Sequence, residues 1–134
     1  MIKCILPERG SDPGGDGHFG ARRGTRLHMG IDYAAIPESV IVSPVKGRVT
    51  KIGYPYGDDL SYRYVQICSR DGDNHRIFYI EPLVSVGENV KEGTPIGLVQ
   101  DVSKRYPIPV GMKPHVHYEI KDDNGVYMNP GDYT

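Results

Sequence analysis

The sequence predicts a mostly β fold, an antiparallel sheet sandwich with long loops around a groove, and three features of its 134 residues point there. Seventeen Gly and eleven Pro interrupt the chain too often for long helices. The aromatic content is carried by ten Tyr and two Phe with no Trp, and with so much Gly and Pro it favours short strands and many turns. Between the turns lie short runs of β-like composition. One domain over 1–134 is expected: an irregular N-terminal loop region at 1–30, a β core carrying the site at 31–121, and a C-terminal turn and tail at 122–134. That length buries enough apolar surface to fold without disulfides.

Within 9–30, Gly10, Gly14, Gly15, Gly17, Gly20, Gly24 and Gly30 leave little room for regular structure, so this stretch is expected to line a site as a loop. Strand-like runs follow at 31–35, 40–43, 47–53, 62–69 and 76–80. Asp71-Gly72 separates two of them and predicts a hairpin, because such a turn needs positive φ. Gly87, Gly93 and Gly97 mark further turns, and 96–100 returns as a strand. Pro107, Pro109 and Pro114 exclude a helix and deliver the chain into a last strand at 115–120. Asp122-Asp123-Asn124-Gly125 lacks the further acidic ligands of a calcium loop and predicts a hairpin turn.

A net charge of -1 gives no general reason to bind nucleic acid or an anionic membrane surface. No stretch has the apolar length to span a membrane, and the run at 1–7 is too short for a signal peptide, so no export signal is expected. Cys4 and Cys68 lack the close spacing of a thiolate zinc site. Arg22, Arg23 and Arg26 form a basic cluster, and Tyr54, Tyr56, Tyr62 and Tyr64 are candidates to line a groove.

The chemistry lies in two clusters. In His115-Val116-His117, period-two alternation places both imidazoles on one face of a strand. In His28-Met29-Gly30-Ile31-Asp32, a loop entering a strand can aim a nitrogen and a carboxylate oxygen at one ion. A catalytic zinc site takes three protein ligands and keeps one position for water, a number that His28, Asp32 and one of the paired histidines supply.

These two motifs, His-x-Gly-x-Asp followed by His-x-His, resemble the lysostaphin and LytM type of zinc peptidoglycan endopeptidases, over roughly residues 18–121. The resemblance implies one zinc ion held by His28, Asp32 and His117, with His115 unligated and active on the water or the tetrahedral intermediate. Phe19-Gly20-Ala21-Arg22 is similar to the family's approach loop, which makes Phe19 and Arg22 candidates for substrate binding. One position departs from the pattern. Where the family carries Tyr-x-His, this chain has Tyr79-Ile80-Glu81, so Glu81 stands for a catalytic histidine and offers a general base in its place. If 75–81 were a regular strand, His75 and Tyr79 would share the Glu81 face; His75 would lie about 20 Å away, which favours Tyr79.

The resemblance thus implies a zinc-dependent endopeptidase acting on a peptidoglycan peptide, of the kind found in phage lysis enzymes or virion-borne wall hydrolases. Phe78-Tyr79-Ile80-Glu81-Pro82 is also similar to the animal leukocyte cell-derived chemotaxin type two, which implies a noncatalytic, zinc-stabilised binding module as the alternative. The sequence leaves the oligomeric state open.

Overall fold

The computed structural model describes residues 11–12, 15–16, 22–23, 26–27, 30–105 and 114–133. Four two-residue strands come first: β1 (Ser11–Asp12), β2 (Gly15–Asp16), β3 (Arg22–Arg23) and β4 (Arg26–Leu27). The core strands are β5 (Ile31–Ala34), β6 (Val40–Val42), β7 (Gly47–Gly53), β8 (Tyr64–Ser69), β9 (Asn74–Phe78) and β10 (Ile80–Pro82). They continue as β11 (Asn89–Val90), β12 (Pro95–Val99), β13 (His115–Lys121) and β14 (Tyr127–Met128). Helical structure among the described residues is limited to 3-10 turns at Val102–Arg105 and Pro130–Tyr133.

Two sheets make the body of the fold. The larger has seven strands in the order β11-β7-β8-β9-β13-β14, with β5 also paired to β13; the smaller is β10-β12-β6. Every described pairing is antiparallel, as expected. The core takes the inward residues of the strands: Val49, Val65, Ile67, Ile77, Ile80, Ile96, Val116, Tyr118 and Ile120 are all fully buried. Burial of such side chains contributes about 1.5–3 kcal/mol each.

The Asp71-Gly72 hairpin joins β8 to β9, with Gly72 at φ 90°. The turn after β13 forms as predicted, with Gly125 at φ 78° and Asp122 Oδ1 accepting from the N–H groups of Asn124 and Val126.

The run at 76–80 differs from expectation. β9 ends at Phe78, Tyr79 adopts φ 70°, and the chain resumes as β10 in the smaller sheet. Period-two alternation therefore stops at Tyr79, and His75 does not share a face with Tyr79 and Glu81. His75 lies instead on the core face, fully buried, with Nδ1 2.6 Å from the Tyr118 hydroxyl.

Candidate metal and catalytic site

The site is built on β13. Its alternation turns Val116, Tyr118 and Ile120 into the core and sends His115, His117 and Glu119 to the opposite face. β5 runs beside its first half, placing Ala34 opposite His115 and Asp32 opposite His117. Directly opposed side chains on adjacent strands come within contact range. His117 Nδ1 is 2.8 Å from Asp32 Oδ1, and His115 Nε2 is 3.7 Å from Asp32 Oδ2. One buried carboxylate, 2% exposed, thus faces two imidazoles.

Glu119 holds the other edge of the same ring, with Oε1 3.1 Å from His117 Nε2. Arg76 Nη1 lies 3.9 Å from the second Glu119 oxygen. Burial pulls the His117 pKa down, but the hydrogen bonds and charges of Asp32 and Glu119 outweigh it and raise the imidazole above its usual range. The protonated ring donates Nδ1–H to Asp32 and Nε2–H to Glu119; a metal ion at Nδ1 would displace the first proton, and Glu119 would then orient the ring from outside as carboxylates do for metal-binding histidines.

Gly30 has a steric reason. A Cβ there would stand 2.4 Å from the Tyr118 carbonyl oxygen, 2.7 Å from His117 Cε1 and 2.9 Å from His117 Nε2. The backbone at the centre of the first motif is therefore pressed against the imidazole of the second.

Tyr79 closes the site on the His115 side. Its ring meets His115 edge-on with centroids 5.5 Å apart. The N–H groups of Tyr79 and Ile80 both donate to the Arg63 carbonyl, at 2.8 and 3.2 Å, which holds the left-handed turn. Behind Tyr79, Tyr56 stacks at 6.0 Å and Tyr62 stands edge-on at 6.5 Å. The Tyr56 and Tyr79 hydroxyls are 3.4 Å apart. Arg105 covers the Tyr56 ring at 3.7 Å and hydrogen-bonds Asp58 through both carboxylate oxygens. Phe78 meets the His117 ring edge-on at 5.3 Å.

Glu81 occupies a different wall. It is exposed on β10, opposite Leu98, and lines an open cleft of about 400 Å³ with Glu38, Ser61, Tyr62, Asp101 and Lys104. Tyr62 belongs to both this cleft and the Tyr79 cluster. The fold thus gathers Asp32, His115, His117 and Tyr79, and sets Glu81 on the adjoining cleft. His28 and Phe19 lie outside the described residues, and of Arg22 only the backbone, on β3, is described. Glu119 is the site residue missing from the sequence-based set, although the same period-two rule that pairs His115 with His117 also reaches it.

Asp32 and His117 present an oxygen and a nitrogen donor, types that zinc accepts, and the close packing of Gly30 fixes one of them in place. They fit two positions of a three-ligand site. Among the described residues, no group of three or more His, Cys, Asp or Glu side chains is arranged to hold a metal ion.

Comparison with known proteins agrees with this reading of the fold. The catalytic domain of the prophage-encoded M23 protein EnpA from Enterococcus faecalis superposes with TM-score 0.67 at 27% identity, over 96% of this chain and 97% of that one. The catalytic domain of lysostaphin from Staphylococcus simulans gives TM-score 0.67 at 19% identity, over 89% of each chain. An uncharacterized metalloprotease of Haemophilus influenzae is 31% identical over 108 residues, which make up 78% of this chain and 20% of that protein. This chain therefore spans about a fifth of the length of that relative. The sequence model of peptidase family M23 matches residues 26–130. The match covers well over half of the chain, both motifs included, and the chain belongs to peptidase family M23.

Proposed function

We propose that the protein is a zinc-dependent peptidoglycan endopeptidase that hydrolyses a peptide bond in wall cross-links. The observation that carries this reading is the convergence of Asp32, His117 and His115 on paired strands of an M23 chain. Zinc would be held by His28, Asp32 and His117; when bound, it polarises the scissile carbonyl and lowers the pKa of its water. His115 stays off the metal, holds a proton at its imidazole and delivers it to the departing amine. Tyr79 keeps His115 in place through its ring and offers its hydroxyl to the substrate beside it. Glu81, exposed on the wall of the adjoining cleft, is a partner for a cationic group of the peptide in place of a base at the reacting water. Phe19 and Arg22 contact substrate from the approach loop. The 27% identity to the catalytic domain of prophage-encoded EnpA supports a phage lysis enzyme or virion-borne hydrolase.

Mass analysis of muropeptides after digestion of purified Gram-negative and Gram-positive walls tests the proposal. Loss of cross-linked dimers with gain of free amino groups is the expected result. A second reading rests on Glu81: a noncatalytic module of the same fold would sediment with the walls and leave every cross-link intact.

A further inference from the structure

We infer that the outer face of the large sheet carries a second site, remote from His117, that binds a phosphate ester. The cleft lies where β7, β8 and β11 meet, has a volume of about 490 Å³, and is lined by Lys46, Gly47, Arg48, Cys68, Arg70, Asn89 and Val90. Three of these residues are cationic and none is acidic. The strand pairings put Arg48 between Cys68 and Asn89. Cys68 is four residues from Tyr64, which pairs with Phe78, which pairs in turn with His117. All of them project on the same face, so the cleft sits roughly 14 Å along the strands from the His117 row.

Two facts select the ligand chemistry. Among the described residues, no ion pair is made by Lys46, Arg48 or Arg70. Three like charges held round one cleft in a chain of net charge -1 repel one another until an anion enters. A single carboxylate neutralises one of the three, whereas a phosphate group carries up to two charges and enough oxygens for two guanidinium forks and an ammonium. The half-buried Cys68 side chain and the exposed Asn89 amide add soft apolar and neutral polar surface beside the cations, which suits an organic phosphate ester better than a bare ion. The ester can be part of a soluble polymer or of a lipid headgroup.

The test is calorimetric titration of the whole chain with glycerol 3-phosphate, with glutarate as the carboxylate control. Co-sedimentation with vesicles of phosphatidylglycerol and phosphatidylcholine, against pure phosphatidylcholine, runs in parallel. Both are repeated on an Arg48→Gln/Arg70→Gln variant and on Lys51→Gln, which removes a cation outside the cleft. The expected result is saturable, salt-sensitive binding of a phosphate ester that weakens at least tenfold in the double variant and stays within twofold in Lys51→Gln, with thermal unfolding unchanged in both. Binding of the soluble ester assigns a polymer-borne phosphate; retention on anionic vesicles alone, with the same dependence on Arg48 and Arg70, assigns a lipid headgroup. The inference is overturned by no binding in either arm, by equal binding of glutarate, or by equal losses in the two variants.

Discussion

His117 and Asp32 occupy opposing positions on β13 and β5, and the imidazole Nδ1 meets the carboxylate Oδ1 at 2.8 Å. The two motifs of the sequence are thus parts of one ladder, and backbone pairing fixes the spacing of the donors. Any change that shifts this register changes the site.

Gly30→Ala tests that dependence. The new methyl group would meet the Tyr118 carbonyl and the His117 ring at 2.4 to 2.9 Å, where the first is fixed in the strand ladder and the second is held by Asp32 and Glu119. The expected outcome is a loss of about 1–3 kcal/mol in urea unfolding together with weaker zinc binding. Normal stability with normal zinc affinity would show that the ring moves freely.

Glu119→Ala probes the outer support of His117. Removing the acceptor at 3.1 Å frees the imidazole to rotate and to change tautomer. Zinc affinity measured by competition with a chelating dye is expected to fall by about 10- to 100-fold, while the fold persists.

Tyr79 separates backbone from side chain. At φ 70° a non-glycine residue is strained by about 1–3 kcal/mol, so Tyr79→Gly relieves strain while deleting the ring against His115. We expect it to unfold at no lower denaturant concentration than a Tyr79→Ala variant, yet to share that variant's loss of wall hydrolysis. Tyr79→Phe keeps the ring and is expected to retain more activity than either; equal activity in all three variants would remove Tyr79 from the mechanism.

His75 gives the chain a pH-dependent stability that does not come from the site. Burial lowers its pKa to about 4, against about 6.5 for a free imidazole. The unfolded chain therefore takes up the proton first: the stability is fully present above pH ~6.5 and is lost as pH falls through the folded value, by on the order of 3 kcal/mol in all. Urea midpoints between pH 7 and 4, measured with chelator present so that metal loss plays no part, should fall less steeply in His75→Phe than in the native chain. Parallel slopes would contradict the assignment.

The sequence made those features legible that rest on local rules. Alternation in β13 gave the common face of His115 and His117, and Asp71-Gly72 gave the β8–β9 hairpin, because both depend on near neighbours alone. Tyr79 was not legible as a break in the strand: Tyr is not a residue that turns left-handed by itself, and the turn is imposed by the distant Arg63 carbonyl and the Tyr56 and Tyr62 rings. The same break carries Glu81 into the other sheet, which no periodic reading of 76–80 could show. Glu119 was within reach of the alternation rule, but its partnership with His117 depends on a side-chain conformation that only the packed strand defines.

The most direct test of the central claim measures zinc content and release of amino groups from purified peptidoglycan in the same samples of native chain, His115→Ala and His117→Ala. The account predicts that the native chain binds one zinc and cleaves, that His115→Ala keeps the zinc and loses cleavage by about 10²- to 10⁴-fold, and that His117→Ala loses both. Full cleavage by His115→Ala, or full zinc retention by His117→Ala, would contradict it.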